Sequence, residues 1–326
     1  MRITCTVPLQ RFEKYGVFFP EEWEIDYLSD LCTDEEMIAS AEKSDVLFVT
    51  SMQRVSRRVM EACPGLRLIH VEGVSFDKVD VVAAAECGIP VCNNKAVNCA
   101  SVAEHSVGLM LAGLRHTARV DRQIRAMGYA AAKTRSLSEG VRELNSQHVG
   151  LIGLGVIGRE IVSRLRPFGC RISYYDVVRL LEEREKETGV GYLPFEELLH
   201  SCDIISVQVP VLPSTVHMLS GPQVAMMKPT ALVINVSRGE IIDNEALAEA
   251  LEGGRIFGAA LDTVDPEPMP ADHVLLNMSP EAMDRLTLTP HIGGMTDEAF
   301  GRMLRWAIAN FRRLEKGEAL VNAVNP

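Results

Sequence analysis

The stretch HVGLIGLGVIGREIVSRLRPFGCRISYYD, residues 148–176, decides how the chain is read. Val149 to Ile152 is a short apolar run of strand type. Gly153, Gly155 and Gly158 follow in a G-x-G-x-x-G spacing, and Arg159 to Arg166 carries an amphipathic, helical pattern. Gly153 allows a tight turn, Gly155 lets a pyrophosphate approach the backbone, and Gly158 lets helix and strand pack closely. The free N–H groups of the helix start, with Val156 and Ile157 beside them, are then aimed at the phosphates. A second apolar run, Arg171 to Tyr175, ends in Asp176, eighteen residues beyond Gly158. A carboxylate there accepts both ribose hydroxyls and repels a 2′-phosphate, so the spacing points to NAD (NADH) rather than NADP. Arg179 is near enough to meet such a phosphate, but reads more simply as a charge opening a solvated helix.

A chain of 326 residues suits two domains of ordinary size. Its formal net charge of −11 argues against nucleic acid or an anionic membrane surface as a partner. The eight cysteines are scattered without a CxxC pair and there is no signal-peptide pattern, which predicts reduced thiols and a cytoplasmic protein. No apolar run approaches membrane-spanning length, and no HExxH or Cys/His cluster announces a metal.

Residues 1–98 read as alternating strands (Ile3 to Val7, Val46 to Thr50, Leu68 to Val71, Pro90 to Cys92) and helices (Asp34 to Lys43, Val55 to Ala62, Asp77 to Cys87), with no glycine fingerprint. This predicts a smaller parallel-sheet domain that does not hold the nucleotide. Val71 to Phe76 would be a strand running into a loop, where ligands tend to sit. Ser101 to Glu104 has capping-box spacing ahead of an apolar helix to Leu114, and residues 115–147 read as a surface excursion with one helix over Ala118 to Met127. Beyond the fingerprint, strands are expected at Ile204 to Val209, Leu232 to Val236 and Gly258 to Asp262, and helices at Pro194 to Leu199 and Asn244 to Glu252. A last helix over Thr296 to Glu315 carries Met303, Ala307, Phe311 and Leu314 on one stripe and is expected to return to the first domain.

Three polar residues stand after apolar strands in loops with Gly or Pro: Arg238, Glu267 and His291. Oxidising an alcohol by hydride transfer needs a base for the hydroxyl proton, a group that orients the base, and a cation for an acidic substrate. His, Glu and Arg are chemically right for these tasks, and a carboxylate beside an imidazole fixes its tautomer and favours its protonated form. Each has a plainer reading as a structural histidine, a turn residue or a surface charge. His105, following the capping box, is expected to pack within its helix.

At these residues the chain resembles the D-isomer-specific 2-hydroxyacid dehydrogenases over nearly its whole length. The motifs are Ser101-Val102-Ala103-Glu104-His105, the glycine fingerprint, Asn235-Val236-Ser237-Arg238-Gly239 with Asp243, Glu267-Pro268, and Thr289-Pro290-His291-Ile292-Gly293-Gly294, in family order. The resemblance implies an α/β protein with two Rossmann-like, parallel-sheet domains. A nucleotide domain (99–294) would be inserted into a discontinuous, flavodoxin-like substrate domain (1–98 and 295–326), with a hinge, and with a homodimer formed through the 115–147 arm. By position it implies that Arg238 binds the substrate's carboxylate and carbonyl oxygen, that His291 is the acid/base, and that Glu267 orients His291 and raises its pKa. Gly73 and Val74 N–H groups would hold the carboxylate from the other domain, with Asn98 nearby. Val102 would back the nicotinamide ring, Asp262 would bond its amide, and Pro210 would border the adenine.

The chain departs from the pattern in places. Val74-Ser75-Phe76-Asp77 lacks a second glycine, Lys95 replaces a proline, Ser51-Met52-Gln53 lacks an arginine found in phosphoglycerate-oxidising relatives, and the segment from Glu267 to His291 is long. The leading expectation is an NAD-dependent enzyme interconverting a D-2-hydroxy acid and its 2-keto acid. The alternatives are an NAD(H)-sensing, corepressor-like binding protein and a phosphite dehydrogenase; a carboxylate at Glu267 argues against formate.

Overall fold

A computed structural model describes residues 1–325, which divide into two units, 1–98 with 295–325 and 99–294. In the first unit five short strands, β1 (Arg2–Cys5), β2 (Glu24–Tyr27), β3 (Val46–Val49), β4 (Leu68–Val71) and β5 (Val91–Cys92), form a parallel sheet ordered β2-β1-β3-β4-β5. β3 and β4 are buried on both faces, as a sheet covered by helices on each side requires. Their runs of Val, Leu, Ile and Phe supply that burial. The helix Asp34–Ala41 opens with a capping box from Thr33 and Glu36. The long helix Asp297–Lys316 is capped by Thr296 and buries Leu304, Ala307 and Phe311 against Phe12, Trp23 and Phe48. It therefore belongs to this unit.

Several boundaries differ from the sequence reading. β2 and the helix Leu9–Tyr15 were not anticipated, because an edge strand reading Glu-Ile-Asp-Tyr has little apolar surface to betray it. The helix expected from Val55 begins at Arg57, since Val55 is used in a bridge to Val79. The one expected from Asp77 begins at Val81, where Asp80 accepts the Ala83 N–H at 2.9 Å.

The second unit holds a seven-stranded parallel sheet of β6 (His148–Ile152), β7 (Arg171–Tyr175), β8 (Gly191–Tyr192), β9 (Ile204–Val207), β10 (Leu232–Asn235), β11 (Gly258–Leu261) and β12 (Leu286–Leu288). The order β12-β11-β10-β9-β6-β7-β8 reverses direction at β6, whose neighbours are β7 and β9. Ligands of such sheets sit outside the strand carboxyl ends at that switch point. Helix Cys99–Arg115 lies against helix Val156–Leu165 and strands β10 and β11, burying Val102, Val107, Met110 and Leu114. Ser101 is the third residue of that helix and not its cap, and Glu104 pairs with Arg164 at 3.1 Å instead of closing a capping box.

Residues 115–147 contain two helices where one was expected, Thr117–Met127 and Tyr129–Glu139, turned about Gly128. The second escaped notice because only Ala132 of its residues is buried. The hairpin is fastened by an Arg119–Glu139 ion pair between its helices and by Arg135 to Asp284 at 3.0 Å. The long segment after Glu267 folds as a turn at Val274–Leu276, a short helix Pro280–Met283 and the edge strand β12, and it buries Leu275, Ala282 and Leu286. Among the described residues no helix is long and apolar enough to cross a membrane.

Candidate active site

The fingerprint loop leaves β6 through Gly153 at φ +96°, a conformation that a side chain resists. The helix then starts at Val156, three residues before the expected Arg159, because Gly155 is its N-cap and its carbonyl accepts the Arg159 N–H at 3.1 Å. A Cβ on Gly158 would stand 2.5 Å from the Gly153 carbonyl oxygen, whereas a Cβ on Gly155 would meet nothing within 4 Å. The loop is thus closed on the helix side and open at Gly155, where Val156 is exposed and Ile157 half-buried, a shape that fits a dinucleotide pyrophosphate.

Asp176 follows β7, and its Oδ2 accepts the Leu154 N–H at 2.8 Å, which brings the carboxylate beside the glycine loop. Arg179 is not free to meet a 2′-phosphate. Its Nε and Nη2 bond Glu185 at 2.9 and 3.0 Å, and its guanidinium lies over Tyr192, 5.0 Å from the ring centre. Pro210 is exposed beyond β9, with its carbonyl accepting the Thr215 hydroxyl at 2.7 Å, and Val102 is buried in the core.

Past β11 and β12 the structure brings two of the expected residues together. His291 Nδ1 lies 2.8 Å from both Oε1 and Oε2 of Glu267, and each side chain keeps more than a third of its surface exposed. With Nδ1–H donated to the carboxylate, Nε2 is left to work as base when neutral and as acid when protonated. His291 itself sits at φ +54°, in the left-handed region. For a histidine this costs on the order of 1–3 kcal/mol, and it persists only where the surroundings over-determine it.

Asp262 does so. Its carbonyl accepts the His291 N–H at 2.7 Å, Oδ1 accepts from the Thr289 hydroxyl and the Ile292 N–H, and Oδ2 accepts from the Gly293 N–H at 2.8 Å. His105 Nε2 completes the set, 3.0 Å from Thr289 Oγ1 and 3.2 Å from Asp262 Oδ1. Burial alone would raise the Asp262 carboxyl, but these donors together outweigh it and hold it at about 2. His105 is therefore a member of the network that shapes the His291 loop, beyond packing in its helix. Thr289, two residues before His291, was the available signal for it.

The Glu267 loop is held from the long segment. His273 Nε2 lies 3.0 Å from the Asp265 carbonyl oxygen, which also accepts from Asn244 Nδ2 at 2.7 Å. Arg238 stands in the adjacent loop after β10. Its Nη1 donates to the Ser237 carbonyl at 2.8 Å, and it has no ion pair with Glu267 among the described residues. A Cβ on Gly239 would lie 1.9 Å from the Val264 carbonyl carbon, so the Arg238 loop runs directly against the one that leads to Glu267.

In the first unit Gly73 and Val74 follow β4 and are half-buried. Their carbonyls are anchored by Asn94 N at 2.9 Å and Asn93 Nδ2 at 2.6 Å. Asn98 is half-buried, at the end of that unit's first segment. All eight cysteines are unpaired, and among the described residues no His, Cys, Asp and Glu group forms a metal-binding cluster.

Residues 107–293 match the family model of the D-isomer specific 2-hydroxyacid dehydrogenase NAD binding domain. The chain is 33% identical over 307 residues to a glyoxylate reductase of Korarchaeum cryptofilum, spanning 94% of this chain and 90% of that protein. It is 35% identical over its full length to a D-3-phosphoglycerate dehydrogenase of Methanocaldococcus jannaschii, of which it spans 59%. The solved structure of D-2-hydroxyisocaproate dehydrogenase covers the whole chain with a TM-score of 0.87 at 23% identity, a likeness of fold alone.

Proposed function

The chain belongs to the D-isomer-specific 2-hydroxyacid dehydrogenase family and is an NAD-dependent oxidoreductase of 2-hydroxy and 2-keto acids, and from that premise we propose that it reduces a short, unphosphorylated 2-keto acid to the D-2-hydroxy acid. The observation that carries this reading is the 2.8 Å contact of His291 Nδ1 with both oxygens of Glu267. When bound, NADH supplies the hydride for the carbonyl carbon. His291 Nε2 gives its proton to the carbonyl oxygen, and Glu267 holds the ring so that the proton sits on the productive side. Arg238 binds the substrate carboxylate and polarises the carbonyl, and the N–H groups of Gly73 and Val74 take the other carboxylate oxygen, with Asn98 close by. Gly153, Gly155, Val156, Ile157, Gly158 and Asp176 hold the dinucleotide. Val102 and Pro210 border its rings, and Asp262 serves the nicotinamide amide while keeping the His291 loop in place.

A small, unphosphorylated substrate is favoured by the resemblance to a glyoxylate reductase and by the lack of an arginine in Ser51-Met52-Gln53. Of the nearby arginines, Arg57 pairs with Glu86 and Arg58 with Glu35, while Arg54 is exposed and has no ion pair among the described residues. The hairpin of residues 117–139, with exposed Tyr129 and Leu137, is the proposed contact of a homodimer. The test is NADH oxidation by the purified protein against glyoxylate, hydroxypyruvate, pyruvate and 3-phosphohydroxypyruvate. Turnover of a short acid supports the proposal. NADH binding without turnover of any of them replaces it with a nicotinamide-sensing role.

A further inference from the structure

Glu72 is the last residue before Gly73 and is only 3% exposed. One of its oxygens, Oε2, is hydrogen-bonded to Arg11, whose guanidinium lies 4.8 Å from the centre of the Phe300 ring. The other, Oε1, is buried with no partner. Two more buried polar atoms without partners sit on the neighbouring strand ends, Thr50 Oγ1 after β3 and Asn94 Oδ1 after β5. The register makes these three residues lateral neighbours, since Val49 is paired with Val71 and His70 with Cys92. Asn94 also grips the Glu72 and Gly73 carbonyls, through Nδ2 and N. An amide oxygen can only accept, so with Glu72 ionised the Thr50 hydroxyl is the single donor among these three atoms for two buried acceptors. A protonated Glu72 adds the missing donor.

We propose that Glu72 and Arg11 form a positioning pair behind the Gly73–Val74 loop, and that the protonation of Glu72 sets how strongly this loop takes the carboxylate of the substrate. This rests on the reading of that loop as a carboxylate site. Neutral Glu72 leaves the charge of Arg11 uncompensated behind the loop and favours an anion. Ionised Glu72 cancels that charge one residue from the Gly73 N–H. Burial pushes the Glu72 carboxyl up to about 7 against the pull of Arg11, so both states are populated near neutrality. Of the neighbouring titratable groups, Cys5, Cys92, His70, Lys14 and Asp297 each keep one protonation state through that range. Burial pushes the Cys5 thiol far up and the Cys92 thiol to about 11, burial holds His70 at about 3, and Lys14 is raised and Asp297 lowered by their mutual hydrogen bond.

The experiment has two readouts on wild type, Glu72→Gln and Arg11→Gln. Infrared difference spectra across neutral pH are expected to show a protonated-carboxyl band that titrates in wild type and is missing in Glu72→Gln. KM for glyoxylate is expected to rise by about fivefold between roughly pH 6 and pH 8 in wild type and to stay flat and low in Glu72→Gln, with kcat following the same pH curve in both. In Arg11→Gln, KM is expected to be raised throughout. Absence of the band in folded wild type overturns the proposal. So does an equal pH slope of KM in wild type and Glu72→Gln. A titrating band with no turnover of any 2-keto acid overturns the substrate reading of the loop, and with it the consequence for KM.

Discussion

His291 Nδ1 stands 2.8 Å from each carboxylate oxygen of Glu267, although twenty-four residues separate the two in sequence. The contact fixes which ring nitrogen is presented to a substrate. Glu267→Gln preserves shape and removes the negative charge. Turnover is expected to fall about 10²-fold or more, with KM for the keto acid and NADH affinity little changed, as steady-state kinetics and NADH titration would show.

Arg179 is clamped by Glu185 and stacked over Tyr192. Glu185→Gln loosens that clamp beside Asp176. The ratio of kcat/KM for NADPH to that for NADH is expected to rise about tenfold, roughly 1.4 kcal/mol of discrimination, and an unchanged ratio would show that Arg179 plays no part in cofactor choice.

Gly158 faces the Gly153 carbonyl so closely that a Cβ would lie 2.5 Å from its oxygen. Gly158→Ala must push the helix off the loop. Denaturant unfolding is expected to show a loss of about 1–3 kcal/mol, together with weaker NADH binding.

Asp262 is held at about 2, below the ordinary carboxylate value, by His105, Thr289 and the Gly293 and Ile292 N–H groups that overcome its burial. A carboxyl lowered in the folded state stabilises the protein above its unfolded pKa of about 3.9 and loses that contribution as pH falls through the folded value. Acid unfolding of wild type should therefore show about 2 kcal/mol of stability disappearing between roughly pH 4 and pH 2. Asp262→Asn should lack this step and should be less stable at neutral pH.

Much of this was legible in the chain because it is local. The β-branched runs of β3, β4, β9 and β10, the glycine spacing, and Asp176 at the end of β7 each depend on near neighbours. The helix start was misplaced at Arg159 because Val156 and Ile157 look like a continuation of the apolar run, while only the backbone reveals Gly155 as the cap. The edge strand β2 and the second hairpin helix bury too little to leave a periodicity. The network of His105, Asp262 and Thr289 and the pair of Arg11 with Glu72 join residues far apart in sequence, and no spacing rule announces such contacts.

The most direct test of His291 as the proton donor is single-turnover oxidation of bound NADH by glyoxylate in His291→Ala, with NADH affinity measured on the same preparation. A rate about 10³-fold below wild type at unchanged NADH affinity is the predicted result. A rate within about threefold of wild type would contradict it and place the proton on another group.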